Sequence, residues 1–195
     1  GSGAQVREIV NKDERPENVS FKNVFRRLAY VKTGITVPDQ VRWDGRSDSG
    51  AVVPDGTYTY RVEAWDDNGN LGQSQTGTVH VDNTAPVAEV KAPFPIFSPN
   101  GDGNKDTLPI EQSGSPEASW EAVISDAAGS RVLTRSWQNA APSSWEWDGK
   151  NAEGILAADG VYSYTISARD LAGNAGSARL DNILINTQAT PINIS

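Results

Sequence analysis

A chain of 195 residues with 37% hydrophobic and 22% charged residues, six Trp and five Tyr among them, can build packed cores and is not a disordered tail. Its formal net charge of -8 excludes nucleic acid as the main partner, because phosphate binding needs a concentrated positive surface. The absence of Cys excludes disulfides, Cys-ligated zinc and thiol nucleophiles.

The opening Gly1-Ser2-Gly3 reads as a cloning remnant, so a signal or anchor of the parent protein would lie outside this sequence. No apolar run reaches the roughly 20 residues a membrane helix needs, and no membrane insertion is expected of this stretch. Residues 24–31 carry a weak helical period. Within them Arg26-Arg27 is the strongest basic cluster, which reads as a solvated strand face.

Trp43-Asp44-Gly45 then opens a segment that recurs. Residues 43–72 align with 147–176 at a constant offset of 104 without gaps, and 13 of the 30 positions are identical, which marks a duplicated domain. Each Trp precedes an Asp-Gly turn, so its ring is expected to plug the end of a core while the Asp caps the turn. Asp55-Gly56 and Asp159-Gly160 are expected to form turns in which Gly supplies a positive φ. After them, Tyr58, Tyr60, Val62 and Ala64 alternate with Thr59, Arg61 and Glu63, the pattern of a half-buried strand. Tyr162, Tyr164, Ile166 and Ala168 repeat it. Hairpin turns at 66–70 and 170–174 lead into further strands near 77–81 and 180–185.

The break between copies falls where Asp82-Asn83-Thr84-Ala85-Pro86 stops a strand pattern, giving modules at 1–86 and 87–195. In the second, strands at 118–125 and 131–137 flank a turn at Asp126-Ala127-Ala128-Gly129. Short strands with turn signals at regular spacing predict an all-β fold of two tandem immunoglobulin/fibronectin-III-like antiparallel β-sandwiches. The stretch at 87–108 has a counterpart that would lie before residue 5, so the first module is expected to lack its opening strand and to expose a sheet edge near residues 6–31.

The repeated W-D-G … D-G-x-Y-x-Y string followed by D-x-x-G-N resembles the immunoglobulin-like domain of the flagellar hook-cap scaffolding protein. Phe97-Ser98-Pro99-Asn100-Gly101-Asp102-Gly103-Asn104-Lys105-Asp106 is similar to an opening found in bacterial surface modules. These resemblances span most of 41–86 and 97–186. They imply an extracytoplasmic setting, periplasmic, cell-surface or secreted, and modules that act as spacers or assembly parts.

The best candidate site is the loop bearing Asn100, Asp102, Asn104 and Asp106, whose side-chain oxygens fall on every second residue. Calcium loops use that spacing, and so do loops of Asx-turns that need no ion. No cofactor is required, and calcium is the one candidate. His80, the only His, has no partners for a metal trio or a catalytic triad. No P-loop, G-x-S-x-G or H-E-x-x-H string is present. The sequence therefore points to a non-catalytic structural or interaction segment of a larger exported bacterial protein, with protein partners or neighbouring modules of the same chain. The alternatives are a hook-cap-like assembly factor and a carbohydrate-binding accessory module of a secreted hydrolase, in which Trp65, Trp137 or Trp145 would stack on sugar.

Overall fold

The computed structural model describes residues 3–9, 40–65 and 70–188. The weak helical period, Arg26-Arg27, most of the hairpin at 66–70 and most of the expected sheet edge near 6–31 lie outside the described residues. Internal contacts group the chain into two units, Gly1–Val81 and Asp82–Ser195. The described residues are all β, with no helix.

The second unit holds eight strands: β5 (Ala88–Lys91), β6 (Ile96–Phe97), β7 (Leu108–Gly114), β8 (Glu117–Asp126), β9 (Arg131–Ala140), β10 (Trp145–Trp147), β11 (Gly160–Arg169) and β12 (Ala175–Ile185). They form a three-stranded sheet in the order β10-β7-β5 and a five-stranded sheet in the order β6-β12-β11-β8-β9. All neighbours are antiparallel except β6, which runs parallel to the end of β12. Alternation decides which side chains face inward. Trp120, Ala122 and Ile124 on β8 and Tyr164 and Ile166 on β11 are buried against Leu108, Ile110 and Trp147 of the other sheet. This is an immunoglobulin-like β-sandwich.

The first unit holds β1 (Gly56–Tyr60), β2 (Glu63–Trp65), β3 (Leu71–Gln73) and β4 (Gly77–Val81), with β1 paired to β4 and β2 to β3. At the offset of 104, β1 and β2 together cover the span of β11, and β3 and β4 that of β12. In β11 and β12 the hairpin continues through a register shift at Tyr162/Tyr164, eased by Asn182 at φ 60°. In the first unit the ladder breaks instead at 61–62, where Ser74 uses its hydroxyl to accept from Val62 N at 2.9 Å.

The turn chemistry repeats almost bond for bond. Trp43 Nε1 donates to Arg46 O at 2.7 Å and Trp147 Nε1 to Lys150 O at 2.9 Å. Asp44 accepts from Arg46 N and Asp148 from Lys150 N, both at 3.1 Å. The bridge between Arg46 and Val52 recurs between Lys150 and Leu156. Left-handed glycines sit at Gly45 and Gly149, φ 73° and 75°, and again at Gly50 and Gly154. The expected positive φ is found at Gly56, φ 157°, and not at Gly160, although each begins its strand, opposite Val81 and Ile185. Asp159 does its bonding across the sandwich end, accepting from Thr187 N at 3.0 Å and Thr187 Oγ1 at 2.9 Å.

Each hairpin entry is pinned by a tyrosine corner, in which a Tyr hydroxyl reaches back to a carbonyl upstream. Tyr58 donates to Pro54 O at 2.9 Å and Tyr162 to Ala158 O at 2.6 Å. Tyr162→Phe keeps the ring and removes that bond, so it should destabilise the second unit by about 1 kcal/mol in urea unfolding. Burial, and then the carboxylates of Asp126 and Asp159, push the Tyr162 hydroxyl above its ordinary 10.0. Its folded state therefore keeps the proton longer than the unfolded chain, and stability present below pH 10.0 is lost as pH rises beyond it.

Candidate functional site

The loop at 98–106 leaves β6 and lies on the second Trp-Asp-Gly turn. The Phe97 ring stands 5.3 Å from the Trp147 ring, and a Cβ on Gly149 would come within 2.7 Å of Pro99 Cγ. The two strings that carry the sequence resemblance thus touch each other. Ser98 N donates to Lys105 O at 2.9 Å, closing the loop at its base. Gly101 and Gly103 take φ 81° and 84°, which a side chain would resist. Lys105 is also left-handed, at φ 56°, and its ammonium lies 4.7 Å from the centre of the Phe94 ring.

Of the four oxygen-bearing residues, Asn100, Asp102 and Asp106 turn side-chain oxygens toward backbone amides of the loop. Asp106 accepts from Gly101 N at 2.7 Å through one oxygen and from Gly103 N at 2.8 Å through the other. Asn100 accepts from Asp102 N at 3.0 Å, and Asp102 from Asn104 N at 2.8 Å. Asn100 Nδ2 donates to the remaining Asp102 oxygen at 3.1 Å. Asn100 and Asp102 thus form successive Asx-turns. The Gly101 amide, followed by that of Gly103, holds the Asp106 carboxyl below its ordinary 3.8.

A carboxyl whose folded pKa is depressed contributes stability above its unfolded value and loses that contribution as pH falls through the folded one. Asp106→Ala should therefore lower the melting temperature of the second unit by about 3–6 °C at pH 7. The difference from the parent chain should shrink once the pH drops below 3.8, and melts at pH 7 and pH 3 check both. The same melts with millimolar calcium chloride should move by less than about 1 °C. A calcium-dependent rise of several degrees that Asp106→Ala abolishes would make the loop a cation site.

Other carboxylates have comparable duties. Asp126 accepts from Ala128 N and Ser130 N, and Asp170 from Asn174 N, each closing a hairpin turn. Asn174 then uses its amide to donate to Asp82 O at 3.0 Å, which fastens the inter-module segment to the second unit. His80 lies on the polar face of β4 and shares a 2.9 Å hydrogen bond with Thr57 across the hairpin. Of the three tryptophans considered for sugar stacking, Trp65 is 62% exposed. Trp145 is half-buried with the Arg135 guanidinium 4.7 Å from its ring centre, and Trp137 donates its indole N–H to Ser143 Oγ at 3.1 Å. The tyrosine corners and the Asn174 clamp were missed by sequence reasoning, although the invariance of Tyr58/Tyr162 and Asn70/Asn174 between copies was the signal for them.

The sandwich, the Trp-Asp-Gly turn and the loop against it can now be set beside known proteins. Residues 96–171 match the family model of the FlgD Ig-like domain. This segment is similar to the FlgD Ig-like domain. It begins at β6 and runs through the hairpin entry to the end of β11, so it contains the loop, both buried tryptophans and the second tyrosine corner. The chain is also 42% identical over 88 residues to C5a peptidase of Streptococcus pyogenes serotype M3, a match covering 45% of this chain and 7% of that protein. C5a peptidase of serotype M1 is 40% identical over 74 residues, covering 37% of this chain and 6% of the relative. The matches thus span less than a tenth of these relatives' length. Among solved structures, dimeric latent PorU from Porphyromonas gingivalis is 19% identical with a TM-score of 0.39, covering 70% of this chain and 13% of that one. What this chain resembles in each case is a small part of a much longer protein.

Proposed function

We propose that this chain is a non-catalytic spacer or assembly segment of a larger exported bacterial protein, working outside the cytoplasm at the cell surface, in the periplasm or in the medium. The observation that carries this reading is the use made of the acidic side chains. Asp102, Asp106, Asp126, Asp148, Asp159 and Asp170 each accept a backbone N–H that closes a loop, turn or sandwich end. Carboxylates so engaged serve the scaffold, whereas glycoside hydrolysis needs two of them facing each other across a cleft. The FlgD Ig-like domain and the small share of C5a peptidase that is matched support a module within a longer chain. Among the described residues no helix is long and apolar enough to cross a membrane, and the setting outside the cytoplasm is inferred from the relatives' kind.

The test combines location with turnover. Antibody raised against the chain should label intact producing cells or their periplasmic or culture fractions, and the purified chain should leave protein and polysaccharide substrates unchanged. Confinement to the cytoplasm, or turnover of any substrate by the purified chain, would overturn the reading.

A further inference from the structure

Asn100-Gly101 is the one Asn-Gly pair among the described residues, the other, at 68–69, lying outside them. The pair has a chemistry of its own. Once hydroxide has taken its proton, the backbone nitrogen of Gly101 can attack Cγ of Asn100, and glycine has no Cβ to hinder the approach. A bond forms from that nitrogen to Cγ, the Cγ–Nδ2 bond breaks, and Nδ2 leaves as ammonia with a proton from water. Water then opens the five-membered imide at either carbonyl, giving aspartate or isoaspartate. The net change consumes one water and releases one ammonia, and both residues are exposed to water.

The loop meets each atom of that step with a contact. Gly101 N, which must lose its proton, donates to Asp106 at 2.7 Å. The Gly101 and Gly103 amides hold the Asp106 carboxyl below 3.8, so it is ionised at neutral pH and disfavours a second negative charge on the nitrogen. Nδ2, the leaving group, donates to Asp102 at 3.1 Å. Oδ1, where charge builds as the nitrogen adds, accepts from Asp102 N at 3.0 Å, a contact that favours the reaction. Repulsion between unit charges at hydrogen-bond distance exceeds what one neutral N–H returns, so the balance opposes deprotonation. Lys105, the only cation at 98–106, places its ammonium over the Phe94 ring, 4.7 Å from the centre. The products fit the loop poorly. A carboxylate at 100 would face Asp102 with no proton to donate, and isoaspartate would lengthen the backbone inside the loop that Ser98 N and Lys105 O close at 2.9 Å.

We infer that Asn100 is a latent deamidation site, with water as its reactant, kept unreacted by the Asp106 carboxylate on Gly101 N. Asp106 thus protects a covalent bond as well as a turn. The inference is independent of the spacer reading, and either can fail without the other.

Peptide mapping of the whole chain after incubation at mildly alkaline pH reads the reaction. Trypsin releases residues 92–105, between Lys91 and Asp106, and fragment masses separate Asn100 from Asn104. A synthetic peptide of 92–105 is the reference, since it holds the Asn-Gly pair and lacks Asp106. Asn100 should react at least about tenfold more slowly in the chain than in the peptide, and Asp106→Asn, shown folded by circular dichroism, should remove most of that difference. Asp126→Asn, which weakens a different turn of the same unit, should leave the rate at the parent value. Hydrogen exchange at Gly101 removes the same proton and needs no variant, and in the parent chain it should be at least about tenfold slower than in the peptide. Four results would overturn the inference: equal reaction of Asn100 in chain and peptide, exchange of Gly101 at the peptide's rate, a folded Asp106→Asn chain as unreactive as the parent, or equal acceleration by Asp126→Asn.

Discussion

Replacing Trp147 with Ala should destabilise the second unit by about 3–5 kcal/mol, while Trp43→Ala, at the matching position, should cost the first unit less than about 2 kcal/mol. The Trp147 indole is 0% exposed, with the Phe97 and Tyr162 rings each 5.3 Å away. Its removal leaves a cavity between two sheets that cannot close over it, and it strips the Lys150 carbonyl of its donor. Trp43 makes the same hydrogen bond and the same edge contact, with the Tyr58 ring at 5.5 Å, but it is only half-buried. Its site has fewer contacts to lose. A loss of 3–5 kcal/mol is a large fraction of a typical domain's stability, so the effect should be plain in urea unfolding read separately for each unit.

Gly176→Ala should cost the second unit about 3 kcal/mol, and Gly72→Ala in the first should fall within about 0.5 kcal/mol of the parent. A Cβ on Gly176 would collide with the carbonyl of Pro86, where the segment leading into β5 crosses the start of β12. The obstacle is backbone and cannot rotate away. At Gly72 the nearest atom to a new Cβ is Ala64 O at 3.8 Å, an ordinary contact. Paired melts of the two variants check this. Equal losses would mean that the Pro86 crossing is not part of the folded second unit.

The local features of this fold were legible because they depend on neighbours in sequence. Alternation at 58–64 and 162–168 gave the strands, and Trp-Asp-Gly gave the capped turns in both copies. Asp-Gly at 159–160 misled on φ because the same dipeptide serves a tight turn or a strand start with a side-chain cap, and only the distant Thr187 decides between them. β6 is two residues long and parallel to β12, a pairing with no local signal. The loop at 100–106 was visible as an alternation of oxygens, yet that pattern suits an ion cage and a run of Asx-turns equally. The direction of the Asp106 oxygens, toward Gly101 N and Gly103 N, is a three-dimensional fact. Burial was the least legible property. Tyr60 and Tyr164 are the same residue in the same string, and what separates them is β7 and β8, strands remote in sequence from either Tyr.

Native-state hydrogen exchange over the two copies of the repeated strand tests most directly the claim that one signature recurs while, among the described residues, only the second copy is covered. Amides in the middle of β11, near Tyr164 and Ile166, should exchange only through global unfolding of the second unit. Those near Tyr60 and Val62 should exchange through local opening, at least about a hundredfold faster. Equal protection at the matched positions in the isolated chain would contradict the account, because it would require a cover over the first copy equivalent to β7 and β8.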